Sequence, residues 1–126
     1  MKTPHKALLV GVGGMARHWI QNVWVVLHDR VSIAGIVDVS PDALSWAANA
    51  LDVPDNRRFS RVADAFAQTD ADFCCIVTPP KFHREAVEAA CARGMSILSE
   101  KPVADTWADC VAIAKAARAS GVKMMV

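Results

Sequence analysis

The chain alternates short apolar runs with segments in which apolar residues recur at helical spacing. The runs contain few polar residues, which is typical of strands covered on both faces. They span residues 6–10, 31–37, 72–77, 95–98 and 122–126, and a further short strand is predicted near Arg58–Phe59.

Between these runs, apolar side chains repeat every three or four residues and predict amphipathic helices. One more helix is predicted over about residues 61–67. The four clearest stripes are Ile20, Val23, Trp24 and Leu27; Leu44, Ala47, Ala48 and Leu51; Ala86, Val87, Ala90 and Cys91; and Trp107, Val111, Ala114 and Arg118 with Ile113 beside them.

Capping residues stand where these helices are expected to begin and end. Ser40 followed by Pro41 predicts an N-cap and a first helical residue, because proline lacks only an amide that is unpaired there. Gly94 and Gly121 follow alanine-rich segments and suit the left-handed position after a helix. Asp105 or Thr106 is the expected cap of the last helix.

This alternation of strands and helices predicts an α/β fold. Right-handed βαβ units produce a doubly wound parallel sheet, Rossmann-like, with about six strands and helices on both faces. A length of 126 residues suits one domain over residues 1–126. The four tryptophans lie in the predicted helices or at their edges, with no ladder among them.

Composition excludes several classes of function but adds little to the prediction of the fold. The chain carries 14 Lys and Arg against 13 Asp and Glu, so no basic excess indicates nucleic acid or a membrane surface. Mean hydropathy is +0.22, but no apolar run reaches the length of a transmembrane helix or of a signal-peptide core. The four cysteines have no metal-ligand spacing, and we expect buried thiols, no metal site and a cytoplasmic location.

A glycine cluster follows the first predicted strand. Residues 11–16, GVGGMA, fit G-x-G-x-x-A between a strand and a helix, which is the context of a dinucleotide fingerprint. Gly11 allows the tight turn, Gly13 lets the backbone approach a pyrophosphate, and Ala16 lets the helix pack closely. With Gly14 and Met15 they are expected at the cofactor, and the structural alternative is a glycine-rich turn without a ligand.

An acid after the second strand favours the cofactor interpretation. Asp38 lies 22 positions after Ala16, where a carboxylate accepts hydrogen bonds from ribose hydroxyls. A carboxylate repels a 2′-phosphate, and no Arg or Lys follows at residues 39–42, so NAD is expected over NADP. Helix capping near Ser40 is the structural alternative for Asp38.

The downstream stretch resembles the Gfo/Idh/MocA family of oxidoreductases. The markers are GVGGMA, VDVSPD, the TPP-x-x-H segment from Thr78 to His83, and the triplet Glu100-Lys101-Pro102. Thr78 ends the fourth predicted strand, where ligands bind in open α/β sheets. The resemblance implies hydride transfer between a nicotinamide cofactor and an alcohol carbon of a sugar, cyclitol or similar small molecule.

The same resemblance implies roles for individual residues. Lys101 corresponds to the family's catalytic lysine, which holds the substrate hydroxyl and helps remove its proton. His83 corresponds to a histidine near the cofactor, and Lys101-Pro102 to a cis peptide bond. Pro79 and Pro80 stiffen the loop along the cofactor, and Glu100 lies at the same sheet edge. The alternatives are a capping or surface role for His83 and a surface turn for Lys101.

The resemblance covers the chain as the family's N-terminal domain, and the C-terminal substrate domain is absent. We therefore expect little or no turnover from these residues alone. The last apolar strand ends the chain, which suggests a fragment with an exposed edge and self-association into a homo-oligomer. Two other functions remain open: a non-catalytic dinucleotide-binding or regulatory module, and an S-adenosylmethionine methyltransferase.

Overall fold

A computed structural model describes residues 3–126 and shows one six-stranded sheet, in which each strand is parallel to its neighbours. The strands are β1 (His5–Val10), β2 (Val31–Val37), β3 (Arg58–Phe59), β4 (Phe73–Ile76), β5 (Ser96–Ser99) and β6 (Met124–Met125). The α-helices are α1 (Met15–Trp19), α2 (Pro41–Leu51), α3 (Val62–Gln68), α4 (His83–Ala92) and α5 (Trp107–Ser120). No helix within residues 3–126 is long and apolar enough to cross a bilayer.

The strand order is β3-β2-β1-β4-β5-β6. The chain winds outward in one direction from β1 to β3, and in the other direction from β4 to β6. The order reverses between β1 and β4, and this switch point opens a crevice at the carboxyl ends of the strands. The predicted doubly wound parallel sheet is confirmed.

Two apolar layers cover the two faces of the sheet. On one face, α3, α4 and α5 supply the buried residues Phe66, Val87 and Ile113. On the other face, the residues after β1 and the alanines of α2 pack over the sheet. Cys74 belongs to the first layer and Cys75 to the second, as expected for adjacent residues of a strand.

The predicted helix caps are present. The Oγ atom of Ser40 accepts a hydrogen bond from the N–H of Ala43 at 3.2 Å, and Thr106 caps α5 through Asp109 at 3.1 Å. Gly121 follows α5 with a φ of 72°. These local signals fix where the helices begin and end, and thereby the lengths of the loops at the site.

The helix after the glycine cluster differs from the prediction. Only Met15–Trp19 is α-helical, and a π-helical segment, Ile20–Trp24, continues it. Trp19 and Trp24 stack as a pair, with ring centroids 5.7 Å apart and planes 21° apart. Residues five apart diverge around an α-helix, but the wider π-helical turn brings them onto one side.

Candidate functional site

A cavity of about 680 Å³ lies at the carboxyl ends of β1 to β4, at the switch point. It brings together residues from four separate loops. The predicted site residues that line it are Gly11, Gly13, Gly14, Met15, Asp38, Thr78 and Pro79. The other predicted site residues, Ala16, Pro80, His83, Glu100 and Lys101, lie outside its lining.

Gly11 allows two strand ends to approach closely. Its φ is +87°, and a Cβ atom there would lie 2.9 Å from the backbone N of Thr78 and from the carbonyl C and O of Val77. The residue therefore does more than permit a turn, because any side chain would push the end of β4 away from the loop.

Gly13 and Gly14 occupy different environments. Gly14 has a φ of +48°, which favours glycine, with open space around its missing Cβ. A Cβ on Gly13 would make only ordinary contacts, 3.5 Å from the Cβ of Ala43 and 3.9 Å from Oδ2 of Asp38. Within residues 3–126, the backbone N–H groups of Gly13 and Gly14 have no hydrogen-bond acceptor, so two donors remain available at the cavity.

Asp38 joins the end of β2 to the glycine loop. Its Oδ2 atom accepts from the N–H of Val12 at 2.9 Å, and Oδ1 accepts from the N–H of Ser40 at 2.9 Å. The contact with Ser40 lies at the start of α2, so the structural alternative for Asp38 is present too. Each carboxylate oxygen has a second lone pair, and both roles are compatible.

Thr78 presents a hydroxyl without a partner. Its Oγ1 atom is buried and makes no hydrogen bond within the described chain, although the residue lines the cavity. A buried polar atom of this kind costs free energy unless a ligand or water satisfies it. Pro79 lines the cavity beside it, and Pro80 begins a 3₁₀ turn, Pro80–Phe82, that leads into α4.

His83 is buried beneath the loop. It is fully buried, its Nε2 atom lies 2.9 Å from the carbonyl O of Thr78, and its Nδ1 atom lies 3.1 Å from the carbonyl O of Val103. Both ring nitrogens thus face backbone oxygens. This burial excludes the surface alternative for His83, whose ring connects the loops of Thr78 and Val103 from within the core.

Glu100 and Lys101 follow β5. The N–H of Glu100 donates to the carbonyl of Ile76 at 2.8 Å, which extends the contact between β4 and β5 toward the cavity side. Lys101 is exposed, and its peptide bond to Pro102 is cis. The carboxylate of Glu100 accepts from the backbone N–H of Lys101 at 3.1 Å and from the indole N–H of Trp19 at 2.9 Å.

Several residues that line the cavity were not predicted from the sequence. Arg61 lines the cavity together with Asp38, and Phe82 and Glu85 line it near Thr78. The sequence did hold a signal for Arg61, because it follows a predicted strand and all parallel strands end at the same sheet edge. Among residues 3–126, the cavity lining therefore carries one cation, Arg61, and two carboxylates, Asp38 and Glu85.

Comparisons with known proteins agree with this geometry. A model of an oxidoreductase family with an NAD-binding Rossmann fold, GFO_IDH_MocA, matches residues 5–126. The uncharacterized protein y4oX of Sinorhizobium fredii is 40% identical over 124 residues, which is 97% of this chain and 34% of that protein. An inositol 2-dehydrogenase of Corynebacterium glutamicum is 35% identical over 96 residues, 75% of this chain and 27% of the enzyme.

Among solved structures, the WlbA dehydrogenase from Bordetella pertussis, in complex with NADH and UDP-GlcNAcA, superposes with a TM-score of 0.88 at 31% identity. The match covers 98% of this chain and 37% of that one. The chain thus spans about a third of the length of the relatives that it matches.

Proposed function

The chain belongs to the Gfo/Idh/MocA family of oxidoreductases, and from this membership we propose that it binds NAD and supports hydride transfer at an alcohol carbon of a sugar, cyclitol or similar small molecule. The membership confirms the resemblance carried by the sequence motifs and the NAD-binding Rossmann fold. It leaves the methyltransferase alternative without support.

The observation that carries the proposal is the position of Asp38. Its carboxylate is held against the glycine loop through Val12, beside the two N–H donors of Gly13 and Gly14 that have no acceptor in the described chain. A dinucleotide presents the complementary groups, since pyrophosphate oxygens accept from N–H groups and ribose hydroxyls donate to a carboxylate.

The cavity residues fit such a group. The missing side chain of Gly13 leaves room beside Asp38, and the hydroxyl of Thr78 offers a further polar contact. In this proposal Gly11, Gly13, Gly14 and Met15 receive the pyrophosphate end, and Ala16 keeps α1 close to β1. Thr78, Pro79 and Pro80 border the cofactor on the β4 side, with His83 holding that loop from below.

The negative charge of Asp38 supports NAD over NADP, because a 2′-phosphate beside a carboxylate is repelled. Arg61 carries the opposite charge in the same cavity. We assign Arg61 to the adenosine end, where its guanidinium can stack on a flat base and attract the pyrophosphate. Arg61 should raise the affinity for NADP and Asp38 should lower it. Because the carboxylate of Asp38 is held in place by two hydrogen bonds, we expect its effect to be the larger and NAD to be preferred.

NAD, when bound, supplies the hydride acceptor for oxidation of an alcohol carbon. Lys101 holds the substrate hydroxyl through its ammonium group when donating, and takes the hydroxyl proton when neutral. Glu100 fixes the backbone from which Lys101 projects. Because Lys101 is exposed to solvent, further residues are needed to enclose the substrate around it. We therefore expect little turnover from residues 1–126 alone.

A second candidate is a dinucleotide-binding module without catalysis. The observation in its favour is that Lys101 lies outside the cavity lining. Both candidates bind the same cofactor, and they differ in whether Lys101 contacts a substrate. Binding of a substrate analogue to the NADH complex that is lost when Lys101 is replaced would support the oxidoreductase.

The proposal includes a cytoplasmic location and self-association. All four cysteines are free, as is usual in a reducing compartment. β6 is an edge strand whose Met125 side chain is 68% exposed, which suits pairing with a second copy.

Calorimetric titration of the chain with NADH, NADPH and S-adenosylmethionine tests the proposed function. We expect binding of NADH, weaker binding of NADPH and none of S-adenosylmethionine. Absence of NADH binding to a chain that melts cooperatively would overturn the proposal.

A further inference from the structure

Trp19 touches the segment that carries Lys101, although 82 positions separate them in the sequence. Its indole N–H donates to Oε1 of Glu100 at 2.9 Å, and Oε2 of the same carboxylate accepts from the backbone N–H of Lys101 at 3.1 Å. One carboxylate therefore has a donor on each oxygen. One donor is the indole of Trp19 at the end of α1, and the other is the backbone N–H of Lys101, the proposed catalytic residue.

The indole itself is held firmly. It stacks on Trp24, which is only 5% exposed. The ring of Trp24 in turn packs against that of Phe73 in β4, with ring centroids 6.1 Å apart. The π-helical segment creates this stack by bringing residues five apart onto one side of the helix. A rigid donor costs less entropy when it orders a carboxylate than a mobile donor does.

The Lys101 backbone depends on this carboxylate. Pro102 has no N–H group, so the amide of Lys101 is the last main-chain donor before the proline. Its acceptor in the structure is the side chain of Glu100. The main chain of Glu100 is fixed through its N–H to Ile76, and its carboxylate is oriented by Trp19.

We propose that Trp19 is a positioning residue for Lys101 and acts through Glu100, so that the helix following the glycine loop sets the direction in which the lysine projects. The proposal rests on the proposed function for the role of Lys101, but the physical link does not require a bound cofactor. It adds to the site a residue that contacts neither the cavity nor a substrate.

Residue-resolved amide hydrogen exchange and ¹⁵N spectra of the 126-residue chain test the link. Trp19→Phe keeps a stacking ring but removes the N–H donor. We expect the Lys101 amide to exchange about three- to tenfold faster, because the carboxylate loses one of two partners. Trp107→Phe, at a side chain that is 82% exposed, is the matched control and should leave Lys101 unchanged.

Glu100→Gln provides the second arm. Glutamine replaces one of the two carboxylate oxygens with an NH2 group, so one of the two donors faces another donor instead of an acceptor. The indole N–H resonance of Trp19 should shift in Glu100→Gln, and Trp19→Phe should then have little additional effect on Lys101. This dependence on Glu100 separates positioning from a general loss of packing.

An unchanged Lys101 amide in Trp19→Phe, or an equal effect of Trp19→Phe with and without Glu100, would overturn the inference. NADH titration of the same samples keeps the two proposals apart. If Trp19→Phe speeds exchange of the Lys101 amide but the chain does not bind NADH, the positioning role of Trp19 stands and the proposed function is rejected. If the chain binds NADH but exchange of the Lys101 amide is unchanged, the proposed function stands and the positioning role is rejected.

Discussion

The Oδ2 atom of Asp38 accepts a hydrogen bond from the backbone N–H of Val12 at 2.9 Å. The carboxylate that ends β2 therefore also holds the glycine loop that follows β1. Its other oxygen holds Ser40 at the start of α2. One side chain thus connects the proposed ribose site, the glycine loop and the start of α2, so we expect a change at this position to affect both binding and loop order.

Asp38→Ala should lower NADH affinity by at least about tenfold and the free energy of unfolding by about 1–3 kcal/mol, because two backbone donors lose their acceptor. Preference for NADH over NADPH should fall as well, since the repulsive charge is gone. Titration calorimetry and urea unfolding measure the two effects. Asp42→Ala removes an equal charge from the exposed first turn of α2 and should leave affinity near that of the parent.

The three glycines of the loop should respond differently to alanine. Gly11→Ala places a Cβ 2.9 Å from the Val77 carbonyl and requires a φ of +87°, so we expect a loss of several kcal/mol in stability. Gly14→Ala meets open space, but its φ of 48° and ψ of −123° lie outside the regions that residues with a Cβ favour, so it should cost about 1–3 kcal/mol.

Gly13→Ala separates binding from folding. Its Cβ makes only ordinary contacts, so the melting temperature should stay close to that of the parent. The added methyl group lies beside Asp38 where the proposed pyrophosphate approaches, and NADH affinity should fall by about tenfold or more. Equal NADH affinity of Gly13→Ala and the parent chain would contradict the placement of the cofactor at this loop.

Features set by local sequence were predictable, and features set by distant contacts were not. Ser40 and Thr106 cap helices through residues three positions away, so their role is visible in a short window. His83 is different, because one of its ring nitrogens pairs with the carbonyl of Val103, 20 positions later. The stack of Trp19 on Trp24 was also not predicted, because the spacing of the apolar residues from Ile20 to Leu27 fits an ordinary α-helix equally well.

Thr78→Val tests the buried hydroxyl that has no hydrogen-bond partner in the described part of the chain. Valine has nearly the same shape, and removing a buried unsatisfied hydroxyl should leave the free energy of unfolding unchanged or raise it by up to about 1 kcal/mol. NADH affinity should drop about threefold to tenfold if the hydroxyl contacts the cofactor. Thr69→Val is the control, because its buried hydroxyl also has no hydrogen-bond partner within residues 3–126 but lies outside the cavity lining.

Met125→Lys should weaken self-association of the chain. Met125 is 68% exposed on the edge strand β6, and a charge there opposes pairing with a second sheet edge. Sedimentation velocity at tens of micromolar should show a concentration-dependent assembly for the parent and a smaller one for the variant. A parent that stays monomeric at these concentrations would reject the proposed edge contact.

The central strand carries two thiols that should make stability fall at alkaline pH. Burial raises the pKa of Cys74 and of Cys75 from an ordinary value of 9.0 to about 12. Below pH 9 both the folded and the unfolded chain keep these protons. Between pH 9 and 12 the unfolded chain releases protons that the folded chain retains, so the free energy of unfolding decreases as pH rises.

The slope approaches about 1.4 kcal/mol per pH unit for each thiol within that window. Urea unfolding at pH 8 and pH 10 should show the loss, and the double variant Cys74→Ala with Cys75→Ala should show a smaller one from a lower starting stability. The same burial implies that Cys74 and Cys75 react with iodoacetamide only after unfolding, because the thiolate is the reactive form. Rapid modification of either thiol in the folded chain at pH 8 would contradict the burial that raises both pKa values.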